Sequence, residues 1–218
     1  MSVHEEGMLL PVTAPQMALM QEAVEHYQNR SEAVDGWLAS RGIAPETADT
    51  YRLGGVRDAF PGHERVEGWL AIPYLGYDQD GVEQVLSIRF RCIPELVHPG
   101  LTCKECGHGK YQGMPGEHAR MFNVRAIKNA GDEIHLTEGE LDAVVLGQAG
   151  FDAVAMPGST QWRRHHGRML AGFNRIYIWA DPDEAGAKFA ADVLQSCRNA
   201  AIVKPRRGQR IRLAERSW

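Results

Sequence analysis

Trp179-Ala180-Asp181-Pro182-Asp183-Glu184-Ala185-Gly186 ends an apolar run, 175–179, with two carboxylates and a glycine. About forty residues earlier, Glu138-Gly139 ends a second such run, 133–137. Each acidic stop follows a strand-like segment and precedes a helix-like one. The carboxylates are therefore expected to converge at the carboxyl ends of neighbouring parallel strands, where open α/β sheets bind their ligands. Three hard oxygen donors suit Mg2+ or Mn2+, since Mg2+ keeps several waters and is usually held by one or two carboxylates plus substrate phosphates. Glu138, Asp181 and Asp183 are accordingly the candidate metal ligands and catalytic acids. Two residues apart on an extended segment, Asp181 and Asp183 are expected to face the same side. Gly186 admits a close backbone approach where the next helix begins, and backbone N–H groups at such a helix start favour phosphate.

Outward from these motifs the C-terminal half alternates regularly. Strands are predicted at 133–138, 152–156, 175–181 and 200–204, and helices at 139–149, 161–171 and 184–198, with Gly150 and Gly172 as stops. Alternating β and α segments imply a mostly parallel sheet with right-handed crossovers. The N-terminal half reads differently. Met17, Met20, Val24 and Tyr27 recur at helical spacing, Ser31 is a candidate N-cap for a helix carrying Val34, Trp37 and Leu38 and ended by Arg41-Gly42, and 45–51 suits a third short helix. Strand-like runs then cover 69–74 and 82–92 around Asp78-Gln79-Asp80-Gly81, a hairpin signal. Residues 94–117 are rich in glycine and proline and are expected to form a loop or insertion. The predicted class is α/β: an α+β N-terminal region, 1–130, with helices, a hairpin and a Cys/His-containing loop; a parallel-sheet domain, 131–205; and a basic tail, 206–218.

Composition narrows the function less than the motifs do. The 218 residues are 44% hydrophobic, enough for a core, and nothing approaches eighteen consecutive apolar residues. No membrane span or secretion signal is expected, which implies a cytoplasmic protein. The net charge of −4 averages two unlike parts: Lys and Arg number 12 against 23 Asp and Glu over residues 1–162, and 12 against 5 over 163–218. That asymmetry suits a local basic surface for phosphates, or equally solvated helix faces plus a basic tail.

Glu138-Gly139-x-x-Asp142-Ala143 followed by Asp181-x-Asp183-x-x-Gly186 resembles the Toprim domain of DnaG-type primases, type IA and II topoisomerases and some nucleases and repair proteins. The resemblance to DnaG-type primases continues upstream through Trp37-Leu38-Ala39-Ser40-Arg41-Gly42-Ile43-Ala44-Pro45-Glu46-Thr47, then Gly68-Trp69-Leu70-Ala71-Ile72-Pro73-Tyr74, then Gly81, Val85 and Leu86 leading to Arg91, then Gly109-Lys110-Tyr111. It covers about residues 17–205 and is similar in style to the compact primases of actinobacterial phages, which would place the protein in the host cytoplasm.

The resemblance implies a primase catalytic core that makes short RNA primers from NTPs on single-stranded DNA. Glu138 would be the metal-ordering or acid/base glutamate, Asp181 and Asp183 metal ligands, and Asp142, Gly139 and Gly186 supporting residues. Arg91 and Lys110 would line the nucleotide and template groove. Blander roles stay open for three of these: helix capping for Asp142, a strand-edge ion pair for Arg91, and a solvated loop lysine for Lys110. Arg163 and Arg164, after Gly158-Ser159-Thr160, are further candidates for contacting phosphate, and Trp162 is a candidate for base stacking or for packing.

Three departures from the family pattern shape the expectations. No Cys/His cluster precedes Cys92, no helicase-binding helical domain follows, and where a further acidic motif is usual after Ile202-Val203 the chain gives Lys204-Pro205-Arg206-Arg207-Gly208-Gln209-Arg210-Ile211-Arg212. A second primase chain or a replicative helicase is therefore an expected partner. The alternatives that remain are a Toprim nuclease and a catalytically incomplete nucleic-acid-binding subunit.

Separately, Cys103-x-x-Cys106-x-His108 has the spacing of one zinc knuckle, with Cys92, His98 or His118 able to complete the set. Free thiols on a loop are the alternative. Cys197 is expected in the core.

Overall fold

The computed structural model describes residues 13–113 and 119–203. His118 and the basic tail lie outside them. Thr13 caps α1 (Ala14–Tyr27) through a capping box with Gln16, and Ser31 caps α2 (Glu32–Ser40) by accepting from the Val34 N–H. Helix α2 stops at Arg41 because Gly42 takes φ 76, a left-handed conformation that glycine enters without a Cβ penalty. A third helix, α3 (Pro45–Thr50), follows. Arg30 ties the helical layer together, donating to Asp35, Asp49 and the Leu53 carbonyl.

An antiparallel sheet of order β1-β2-β3-β4 comes next, built from β1 (Gly54–Gly55), β2 (Leu70–Tyr77), β3 (Glu83–Arg91) and β4 (Tyr111–Gly113). The β2–β3 turn is set by Asp78, whose carboxylate accepts the N–H groups of Asp80 and Val82, and by Gly81 at φ 80. Strand β2 is buried from Leu70 to Gly76 without alternation, because both of its faces are covered. Ala71 and Leu75 pack with Ala23, Val24 and Tyr27 of α1, whereas Leu70, Ile72 and Tyr74 join a core with α2 and, from the far half of the chain, residues 141 and 143–146. The segment expected to be a loop at 94–117 holds a helical turn, α4 (Pro94–Val97), and the edge strand β4.

After α5 (Arg125–Asn129) the chain forms a parallel sheet of order β6-β5-β7-β8. Its elements are β5 (Glu133–Thr137), α6 (Glu140–Gln148), β6 (Ala153–Ala155), α7 (Arg164–Met169), β7 (Arg175–Trp179), α8 (Glu184–Ser196) and β8 (Ala200–Ile202). The mixed α/β class is as expected. The strands and helices of this half are all somewhat shorter than the sequence suggests, and two of the shortfalls have a clear cause. Strand β7 stops before Pro182, which has no N–H to offer a ladder, and the helix expected at 161–171 begins only at Arg164, after a 3-10 turn over Ser159–Gln161 that Gly158 enters at φ 112.

From β5 the chain winds outward to β6, then returns past β5 to β7. The carboxyl ends of β5 and β7 therefore flank the point where strand order reverses, the crevice at which doubly wound sheets bind ligands. Among the described residues no helix is long and apolar enough to cross a membrane.

Candidate active site

Thr137 is fully buried at the end of β5 and turns the chain by donating to the Gly139 carbonyl, which swings Glu138 out over the strand end. The carboxylate then reaches across to the neighbouring strand. Its Oε1 accepts the Asp181 backbone N–H at 2.7 Å. Asp183, itself extended at φ −127 and ψ 178, lies beyond the end of β7 and serves as the N-cap of α8, its Oδ1 accepting the Gly186 N–H at 2.8 Å. Gly186 is required by this crowding: a Cβ there would lie 2.2 Å from the Asp181 carbonyl oxygen and 2.6 Å from Glu138 Oε1. At Gly139 a Cβ would lie 2.8 Å from the Asp142 carboxylate, which keeps Asp142 close to the β5–α6 turn.

Four acids thus share one rim, and their electrostatics show it. The Glu138 carboxyl is pushed up to about 7 by partial burial, opposed by the hydrogen bond from Asp181 and reinforced by the charges of Asp181, Asp183 and Asp142. Asp142 is raised to about 6 by burial and by Asp181, with Arg41 and Lys110 pulling the other way. Asp142 is half-buried beside the β5–α6 turn. The acids are hard oxygen donors whose mutual repulsion a divalent cation would relieve, so the donor set fits Mg2+. Their oxygens are not gathered as tightly as the Cys/His group described below, and one oxygen of Asp183 is already engaged in capping.

A basic wall faces the acids. Arg91, at the end of β3, is 4% exposed, with its guanidinium 4.4 Å from the centre of the Trp37 ring and its Nε donating to the Tyr111 hydroxyl at 3.2 Å. Arg41 approaches the same indole at 5.9 Å. Arg91 Nη1 and Arg41 Nε are buried without a hydrogen-bond partner, and donors left so are costly unless an acceptor arrives. Lys110 lies with them, its ammonium pushed down by burial and by the charges of Arg91 and Arg41. Arg91 is thus a buried cation on an aromatic platform, not a strand-edge ion pair.

Arg163 and Arg164 take different roles. Arg163 donates to the carbonyls of Thr160 and Trp162, so it braces its own loop; Arg164 is exposed at the start of α7. The loop as a whole is beside the rim, because the Gly158 N–H donates to the Glu138 carbonyl at 3.1 Å. Trp162 is buried, donates to Ser196 and packs edge-on to Phe189, so it is a core residue.

Sequence reasoning missed Arg41, Trp37 and the Tyr74, Arg89 and Glu140 cluster. Glu140 is 1% exposed, and its Oε1 accepts from Tyr74 at 2.7 Å and from Arg89 at 2.6 Å. The alternation Arg89-x-Arg91 on one strand face was the available signal.

Cys92, His98, Cys103 and His108 place one ligand atom each within 4.8 Å of one another. Exposed Cys106 is not among them, so the set differs from the Cys103/Cys106 knuckle expected from the spacing and draws instead on Cys92 and His98, which directly follow β3 and α4. Cys197 is buried at the C-cap of α8.

Comparisons with known proteins bear on the fold. A family described as Toprim-like matches residues 135–210. The Gene 57 protein of Mycobacterium phage D29 is 31% identical over 144 residues, 66% of this chain and 88% of that protein. A DNA primase domain from Pseudomonas aeruginosa superposes with a TM-score of 0.63 at 22% identity, over 83% of this chain and 65% of that one. The DnaG primase catalytic domain bound to single-stranded DNA gives a TM-score of 0.62 at 17% identity, over 83% and 65%. This chain spans just under two thirds of the length of those two primase structures. The chain therefore belongs to the family of the Gene 57 protein of Mycobacterium phage D29, with a Toprim-like segment over residues 135–210 and the fold of DnaG primase catalytic cores.

Proposed function

We propose that the protein is a DNA primase catalytic core, joining NTPs into short RNA primers on a single-stranded DNA template during phage replication. The observation that carries this reading is the rim itself: Glu138 bonded to the Asp181 backbone at a topological switch point, opposite buried arginines with unpaired donors. In the reaction the 3′-hydroxyl oxygen of one nucleotide bonds to the α-phosphorus of the next, and the bond to pyrophosphate breaks as the hydroxyl proton departs. Mg2+ or Mn2+, held by Asp181, Glu138 and the second oxygen of Asp183, would lower the hydroxyl pKa and stabilise the leaving pyrophosphate. Glu138, whose carboxyl is pushed up to about 7 by burial, would in its ionised form either complete that donor set or accept the hydroxyl proton. Arg91, Arg41 and Lys110 would neutralise triphosphate or template charge, their N–H groups finding phosphate oxygens as acceptors. Arg164, exposed at the start of α7, would add a phosphate contact.

A second reading is favoured by the run from Lys204 to Arg212, which is basic and contains no acid: a nucleic-acid-binding subunit that needs a second primase chain, or a helicase partner, to act. Labelled NTPs with single-stranded template and Mg2+ or Mn2+, compared with a strand-cleavage assay, separate the readings. Template-dependent primers are the expected product. Cleavage without primers would instead assign a Toprim nuclease, and neither product without added replication proteins would assign the incomplete subunit.

A further inference from the structure

The loop that delivers Lys110 to the acidic rim has very little core of its own. Between Pro94 and Gly109 no apolar side chain is buried. What the loop does have is a convergence of sulfur and nitrogen. Cys92 immediately follows Arg91 at the end of β3, and its N–H donates to the Lys110 carbonyl at 2.9 Å. His98 follows α4. Cys103 and His108 flank a tight turn held by Cys106 N–H to Thr102, Gly107 N–H to Lys104 and His108 N–H to Cys103, with Gly107 at φ 75. These four side chains come from three local segments yet place a ligand atom each within 4.8 Å of one another.

A second observation concerns the two rings. His98 Nδ1 lies 2.9 Å from the Leu101 carbonyl and His108 Nδ1 lies 3.0 Å from the Gly109 carbonyl. A carbonyl oxygen only accepts, so in the neutral ring the proton belongs on Nδ1 and the lone pair on Nε2. That is the tautomer and the outer hydrogen bond that metal-ligating histidines use. Cys92 Sγ is already 3.2 Å from His98 Nε2, close to the separation of about 3.5 Å between sulfur and nitrogen around a tetrahedral zinc.

We propose that Cys92, His98, Cys103 and His108 bind one structural zinc ion. On binding, the two thiols release their protons to solvent, the thiolates and the two neutral imidazoles supply four electron pairs, and the site is electrically neutral. The ion clamps the 92–110 segment and with it the backbone between Arg91 and Lys110. Zinc binding does not depend on the priming reading, since none of the four ligands belongs to the acidic rim.

Metal analysis of the purified full chain after exhaustive dialysis, followed by Co2+ titration of the demetallated chain, tests the proposal. About one equivalent of zinc per chain and the visible absorption of a tetrahedral two-thiolate cobalt site are expected. Cys106→Ser and Asp181→Asn should both retain them, the latter while losing primer synthesis, which separates this site from the catalytic one. Cys103→Ser and His98→Ala should each weaken cobalt binding on the order of tenfold or more, with His98→Ala, half-buried and outside the sheet, deciding if Cys103→Ser misfolds. A wild-type chain that binds less than a tenth of an equivalent, or a Cys106→Ser variant as weakened as Cys103→Ser, would overturn it.

Discussion

At residue 186 a single added methyl group is expected to disturb the whole rim. Alanine favours helices over glycine by about 1 kcal/mol, yet here its Cβ would press on the Asp181 carbonyl and the Glu138 carboxylate. Overpacking of this kind costs about 2 kcal/mol, so Gly186→Ala should lower stability in urea unfolding and abolish priming; a variant as stable as wild type would show that the junction is looser than described. His166 gives a pH dependence of known sign. Burial, then the neighbouring charges of His165 and Arg163, hold its folded pKa at about 4 against an ordinary 6.5. Between those values the unfolded chain binds more protons, so stability is full above pH 6.5 and is lost as pH falls toward 4. His166→Gln should flatten that limb in unfolding curves taken from pH 7 to 4, and parallel curves for the two proteins would contradict a buried neutral histidine. Glu138 and Asp181 were legible in the sequence because each acid ends an apolar run at a βα boundary. Asp183 was legible as a residue but not in its capping role, which depends on where β7 stops.

Among the elements, the join between β2, β3 and α6 rests on the Tyr74, Glu140 and Arg89 contacts. Removing the charge from one member of a buried pair leaves the other uncompensated. Arg89 retains some solvent contact, with 22% of its side chain exposed, so Glu140→Gln is expected to cost about 3 kcal/mol, at the low end for such losses. Denaturant titration of the variant measures this, and a change below the usual surface range would show that the cluster is not structural. Beyond the Arg89-x-Arg91 alternation, little of it was readable from spacing. Glu140 sits among other acids of a helix start, and its partners are 66 and 51 residues away along the chain. The short strand β4 was hidden for a similar reason: its pairing of Arg89 with Gly113 is decided across the intervening loop and not by local pattern. The parallel sheet, by contrast, was legible because helices alternate with its strands along the chain.

For the molecule as a whole, one core runs from Val34 through Ile72 and Tyr74 to Val144 and Ala155, joining the antiparallel sheet to the parallel one. Residues 131–203 expressed alone would leave Glu140 without its partners and Leu141, Val145 and Leu146 without their cover, so the fragment is not expected to fold cooperatively, whereas the full chain should unfold in a single transition by circular dichroism. A folded, cooperative fragment would establish two independent domains. The same continuity gives the rim its mixed character, with acids from the parallel sheet facing Arg41, Arg91 and Lys110 from the other half. Template-dependent dinucleotide synthesis by Asp181→Asn and Glu138→Gln, each shown to be folded, is the most direct test of that arrangement. Loss of product by about a thousandfold or more is expected where a group stabilising the transition state is removed, and normal synthesis by either variant would contradict the assignment of the rim as the catalytic centre.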